Sequence, residues 1–243
     1  MKSYTEIVYK VSENAGGIKK DYKGRWITYK FNELGNKSEV INYEPYDGHI
    51  RLYKKYKYDD KGKLLEINSF DGNDTLLIKY SIKHDSQGND SLEIINNFQN
   101  NKTTIYKYTY DKNGNKLSMN GLNHNGVKFI FEQFKYDLKG NIIEESSFKP
   151  DDILSHKFIY KYDAENKLIE KRTFYFSIDS TENIYFYKYD LENNLIEEHY
   201  CSKDGQITVL STYTFDKHFN WIKKLSFEFG FPISETERKI EYY

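Results

Sequence analysis

The chain has 243 residues, with 36 Lys and Arg against 37 Asp and Glu and a formal charge of -1. That balance removes the electrostatic case for nucleic acid or an anionic membrane surface, both of which select a strongly basic face. Aromatics make up 17% of the residues (24 Tyr, 16 Phe) and alanine occurs only at Ala15 and Ala164, a composition that favours strands over helices and, despite a mean hydropathy of -0.84, argues against disorder.

The N-terminal Met1-Lys2-Ser3-Tyr4-Thr5-Glu6 lacks the apolar run of a secretion signal. No later stretch approaches the ~18 apolar residues of a spanning helix. The expectation is a cytoplasmic chain with no membrane span. Residues 1–25, which include Gly16-Gly17, match the pattern of the remaining chain poorly and are expected to form an N-terminal cap over the first strand edge.

From Trp26 to Tyr243 the sequence repeats, and residues 26–243 are expected to form one continuous domain. An aromatic residue followed by Asp or Asn, a short polar stretch with Gly or Asn, and an aliphatic pair recur with anchors at 31, 58, 84, 110, 136, 162, 189 and 215, a period of 26–27 residues. Tyr136-Asp137-Leu138-Lys139-Gly140-Asn141-Ile142-Ile143-Glu144 is a clean copy, and Lys239-Ile240-Glu241-Tyr242-Tyr243 is a C-terminal half repeat. Each copy reads as a β-hairpin. Phe158-Ile159-Tyr160-Lys161-Tyr162 alternates as a strand, so its tyrosines share one face. Asp-x-x-Gly-Asn then forms a turn in which Asp caps and Gly supplies the positive φ, with Asn166 and Asn193 as substitutes. Phe219 occupies that slot in the last copy, so its turn is expected to be built differently. A second, more variable connection, as in Phe70-Asp71-Gly72-Asn73-Asp74 or Lys203-Asp204-Gly205-Gln206, closes each unit.

The predicted fold is all-β: a single long antiparallel β-meander of about eight hairpin repeats, roughly seventeen strands with the half repeat, coiled or twisted because open sheets of more than about 10 strands curl. Closure into a barrel is the second choice. The aromatic-Asp-x-x-Gly-Asn-x-Leu/Ile string, carried by Tyr58-Asp59, Tyr110-Asp111, Tyr136-Asp137, Tyr162-Asp163 and Tyr189-Asp190, resembles the YD repeat of bacterial RHS (rearrangement hot spot) proteins. His84-Asp85, Phe215-Asp216 and Phe31-Asn32 depart from it. The resemblance implies a continuous spiral β-sheet, which in that family often forms a hollow shell around a toxin. This chain is too short to enclose one, and it looks like a short free-standing relative.

Each repeated position is a candidate site. The acids of the Tyr-Asp pairs could bind cations, but the turn role is preferred, and Asp111-Lys112-Asn113-Gly114-Asn115 lacks the closing Glu of a calcium loop. Glu66, Glu144, Glu170 and Glu197 share one position and hence one kind of environment, which suits ion pairs with Lys161, Lys171 or Lys188 better than acid–base chemistry. The scattered histidines show no ligand spacing, and the single Cys201 excludes an internal disulfide and a cysteine zinc cage. No metal, no cofactor and no enzymatic activity are expected. The ladder Tyr108, Tyr110, Tyr136, Tyr160, Tyr162, Tyr187, Tyr189 and Tyr213 is the candidate partner- or ligand-binding face, with core packing as its bland alternative. The expected function is a non-enzymatic scaffold binding a protein partner, an immunity- or chaperone-like binder of a toxin being the narrower version. The alternative is a carbohydrate-binding module using the tyrosines.

Overall fold

Tyr/Lys alternation followed by an Asp-capped turn produces strand pairs throughout the computed structural model, which describes residues 2–14, 17–176, 181–191, 193–201 and 207–242. Gly16, Tyr243 and the connection Lys203-Asp204-Gly205-Gln206 lie outside the described residues. Eighteen strands are present among them, numbered β1 to β18 in chain order.

The chain divides into two compact units. The first, residues 1–77, 187–201 and 206–243, holds β1 (Ser3–Asn14), β2 (Gly17–Phe31), β3 (Lys37–Tyr43), β4 (Ile50–Tyr58) and β5 (Leu64–Asp71), with β15 (Leu195–Cys201), β16 (Ile207–Phe215), β17 (Trp221–Glu228) and β18 (Phe231–Glu241). Its pairing runs without a break from β15 through β18 to β1 and on to β5. The second unit covers residues 78–186 and 202–205. It is built from β6 (Leu76–His84), β7 (Asp90–Asn97), β8 (Lys102–Tyr110), β9 (Lys116–Leu122), β10 (Lys128–Tyr136), β11 (Ile142–Phe148), β12 (Leu154–Tyr162), β13 (Leu168–Tyr175) and β14 (Thr181–Tyr189). These pair in chain order.

All eighteen strands belong to one sheet, and β1 is hydrogen-bonded to β2 on one side and to β18 on the other. The fold is therefore a closed 18-strand antiparallel β-barrel. This corrects the expected open, coiled meander: its all-β character and repeated strands are present, but the first strand is not an edge. The reason lies in the half repeat. β18 lacks a second strand of its own, and β1 supplies it, with Tyr4 opposite Ile240 and Thr5 opposite Lys239.

The turns are more uniform than the sequence suggests. In Asp59–Lys63 the Asp59 amide donates to the Lys63 carbonyl and the Gly62 amide to the Asp59 carbonyl, with Gly62 at φ 79°. This is a type I turn closed by a left-handed residue, the three-residue hairpin loop with a bulge. Asp71–Thr75, Asn123–Val127 and Lys149–Ile153 at the opposite strand ends use the same bonds. So does Asp216–Asn220, where Phe219 adopts φ 59° and donates to the Asp216 carbonyl at 3.1 Å. The expectation of a differently built last turn is thus corrected. Phenylalanine simply accepts the left-handed slot.

Eleven residues after the anchor, the second strand carries Ser69, Gly121, Ser147, Thr173 and Ser226, all buried. Other copies carry Asn42, Ile95 and Tyr200 at this position, and at Gly121 the neighbours leave no room for a side chain. A Cβ on Gly121 would meet Ile130 Cγ2 at 2.5 Å and Phe129 Cζ at 2.9 Å.

Candidate functional site

The acid of each Tyr-Asp pair acts within its own turn. Asp137 Oδ1 accepts the Lys139 and Asn141 amides at 2.9 and 2.8 Å, and Oδ2 accepts Asn141 Nδ2 at 2.9 Å. Asp111 repeats this with Asn113 and Asn115, and Asp85 with Gln87 and Asn89. Hydrogen bonds from the Asn side chain and backbone hold the carboxyls of Asp111 and Asp137 below their ordinary range. Oxygens engaged by their own loop are turn caps, the role that the Asx geometry of Asp favours.

The ladder tyrosines fall into two groups. Tyr110, Tyr136 and Tyr162 donate their hydroxyls to the carbonyls of Asp90, Lys116 and Ile142 at 2.6, 2.8 and 2.9 Å, each 20 residues back. Tyr58 bonds in the same way to the Lys37 carbonyl at 2.7 Å. These bonds clip one repeat to the preceding one. Two residues earlier in the repeat, Tyr108, Tyr160 and Tyr213 donate to the carboxylates of Glu93, Glu145 and Glu198, each 15 residues back. Burial and the Glu93 bond push the Tyr108 phenol well above its usual range. Tyr187 and Tyr189 are half-buried in β14. The hydroxyls of six of the eight candidates are thus bonded within the sheet, leaving ring faces and edges as their contact surface.

The repeated glutamates stand in ion pairs. Glu144 contacts Lys135 and Lys157 at 3.0 and 2.8 Å, Glu170 contacts Lys161 at 2.9 Å and Arg172 at 2.6 Å, and Glu197 contacts Lys188 at 3.0 Å. The Lys157 bond leads in holding the Glu144 carboxyl low, and His199 leads at Glu197. Lys171 lies instead over the Phe158 ring, 4.8 Å from its centroid. One carboxyl moves the other way: burial, then the nearby Glu145 charge, raises Glu132, which accepts a 3.2 Å bond from the fully buried Ser147 hydroxyl. Nothing in the repeat pattern signals Glu132.

Sequence reasoning also missed the apolar hairpin ends. In the second unit three successive turns at one end of the strands expose Phe98, Val127 and Ile153 at 53%, 57% and 55%, with Phe129 and Phe176 exposed beside them. Turn positions ordinarily carry polar residues, so the visible signal was an apolar side chain placed in a turn.

No family model matches the chain, and no curated protein matches it. Among solved structures, a porin-like protein from Bacteroides uniformis is similar over 98% of this chain and 97% of its own, with 10% identity and a TM-score of 0.50. A porin-like protein from Bacteroides vulgatus matches over 97% of this chain and 99% of its own at 10% identity and a TM-score of 0.41. The Photorhabdus luminescens Tc holotoxin pore matches over 83% of this chain at 14% identity and a TM-score of 0.42, and this chain spans 12% of that one.

The Bacteroides uniformis likeness is one of fold, and it bears on two expectations. No helix among the described residues is long and apolar enough to cross a membrane, but strands cross by a different rule. A closed antiparallel barrel satisfies every backbone group internally and is the strand architecture that spans bilayers. The expected absence of a membrane span and the cytoplasmic location are therefore overturned: the search for a spanning helix does not bear on a closed 18-strand barrel, whose fold is shared by a porin-like protein.

Proposed function

We propose that the chain is a non-enzymatic β-repeat scaffold that binds a protein partner through the apolar hairpin ends of its second unit. The observation that carries this is the run of Phe98, Val127 and Ile153, exposed on consecutive turns. Exposed apolar clusters on a folded chain mark interaction surfaces, and aromatic residues are enriched at interface cores. The polar groups of the repeat support the same reading, because the Asp caps and tyrosine clips are engaged by backbone groups and the Lys–Glu pairs by each other. With this goes the narrower reading as a short relative of the RHS repeat family, supported by the aromatic-Asp motif and its shared turn. An immunity- or chaperone-like binder of a toxin is that reading's most specific form.

Affinity capture with the full chain from a lysate of its source organism, followed by cross-linking, tests it. The expected result is one stoichiometric protein, lost when Phe98, Val127 and Ile153 are together changed to Asp with the β-sheet spectrum unchanged. Absence of a stoichiometric protein, or its retention by the triple variant, overturns the proposal. So does flotation of the wild-type chain with lipid vesicles that the triple variant no longer shows, since the apolar ends would then serve a bilayer.

A further inference from the structure

The chain meets its need for cations almost wholly with lysine, and its four arginines are Arg25, Arg51, Arg172 and Arg238. Two of them are tied to carboxylates at short distance: Arg172 to Glu170 and Glu182 at 2.6 and 3.1 Å, and Arg238 to Glu6 at 3.3 Å. The other two line one cavity of about 250 Å³ in the first unit, together with Gly24, Trp26, Tyr43 and Glu44. Arg51 has only a long 3.9 Å contact with Glu44, and Arg25 has no ion pair among the described residues. Arginine presents a planar fork of donors matched to carboxylate and phosphate oxygens. Placing two under-used forks in one cavity is the pattern of an anion site.

The backbone is adapted to the same place. Val8 pairs with Arg25 and Tyr9 with Lys23, so Gly24 is a bulged residue without a partner opposite. Asn42 pairs with Leu52 and Tyr43 with Ile50, which leaves Arg51 as a second bulge. Bulges re-aim side chains and recur beside functional sites. One side of the cavity is aromatic. The Trp26 ring packs against Tyr43 at 4.8 Å and carries the Lys23 ammonium at 4.3 Å. The left-handed Gly48 presses on its edge, where a Cβ would come within 3.0 Å. Trp26 Nε1 is buried with no hydrogen-bond acceptor, an unusual state for an indole N–H.

We propose that this cavity binds the oxyanion, phosphate or carboxylate, of a small organic molecule, with Arg25 and Arg51 as its two clamps. The size agrees, since the cavity is smaller than the roughly 300–1,000 Å³ of sites for drug-sized ligands. The lining charge agrees as well, two guanidinium groups against the single carboxylate of Glu44.

The two tryptophans supply the test. In a ¹⁵N-labelled full chain they give two indole N–H signals, assigned through Trp221→Phe. Sodium phosphate and sodium acetate are titrated separately at constant ionic strength, with sodium chloride as control. The expected result is a saturating movement of the Trp26 signal while Trp221 stays fixed. Saturation by phosphate alone identifies a phosphate ligand, and saturation by acetate alone a carboxylate. The double change Arg25→Gln with Arg51→Gln weakens the response by about tenfold or more, as loss of charge-assisted hydrogen bonds requires, whereas Arg172→Gln leaves it unchanged. No saturating movement with either anion overturns the proposal. Equal movement of both indoles, or undiminished binding by a folded double variant, does so too.

Discussion

At the residue scale the repeat is held by one aspartate and one left-handed position. Asp137 is hydrogen-bonded chiefly as an anion, and its carboxyl is lowered by Asn141 and by backbone amides. A carboxyl lowered in the folded state stabilises the protein above its unfolded value, about 3.9, and that contribution disappears as pH falls through the lower folded value. The chain already shows which substitution is tolerated: Asn32 and Asn123 cap equivalent turns through their own Oδ1 atoms. Asp137→Asn keeps the Oδ1 cap but turns an amide donor toward Asn141 Nδ2, so it is expected to lower the urea midpoint modestly near neutral pH and to flatten its decline below about pH 4, whereas Asp137→Ala, which loses the whole cap, lowers the neutral-pH midpoint further. Urea melts across pH check both. Phe219 offers the reverse case. Its φ of 59° costs a non-glycine residue about 1–2 kcal/mol, and its ring is mostly exposed. Phe219→Gly is expected to raise stability by about 1 kcal/mol, measured as a higher urea midpoint at unchanged slope. A lower midpoint would mean that the exposed ring makes contacts worth more than the backbone strain.

At the scale of elements, turns and strands are set by how closely backbones approach. Gly72, in the connection after β5, has no left-handed φ to explain it, yet an added Cβ would collide with the Ile50 carbonyl oxygen. Two neighbouring turns are thus packed backbone to side-chain position. At Gly121 the added Cβ meets only the side chains of Phe129 and Ile130, which can rotate. Overpacking costs typically about 1–3 kcal/mol, and Gly72→Ala is expected at or above the upper end of that range, Gly121→Ala at the lower. Thermal melts of the two variants rank them, and equal losses would refute the backbone argument. Here the limit of sequence reading is visible. The hairpins, their turn residues and the shared face of Tyr160 and Tyr162 were legible because they are local, fixed by a period of two and by turn chemistry. The small residues Gly121 and Ser147 were not, since Phe129 and Ile130 crowd the one and Glu132 reaches the other, all from another strand. The tyrosine hydroxyls were legible only as a row, because their acceptors lie 15 or 20 residues away.

At the scale of the whole molecule the decisive interaction joins the two ends of the chain. The repeat predicted a meander because each copy specifies pairing with its neighbours and nothing in it specifies an end. The C-terminal half repeat was the available clue: a strand with a partner on one side only is a liability unless another strand completes it. β1 completes it although Tyr4-Thr5-Glu6-Ile7-Val8-Tyr9 carries no aromatic-Asp motif, because pairing with both β2 and β18 needs only alternation and open backbone groups. Closure makes a prediction that an open sheet does not share. Successive amides of an antiparallel strand point to opposite neighbours, so in the barrel each amide from Thr5 to Val8, ahead of the bulge at Gly24, faces a paired strand, β2 or β18. Hydrogen exchange should protect all of them, whereas an edge strand would lose alternate amides rapidly. Proline extends the test. At an edge, one of two adjacent positions has its N–H facing solvent and tolerates proline. In the closed barrel Ile7→Pro and Val8→Pro should both lower the melting temperature, and tolerance of either one, together with fast exchange at that same amide, would reopen the barrel between β1 and the strand that amide faces.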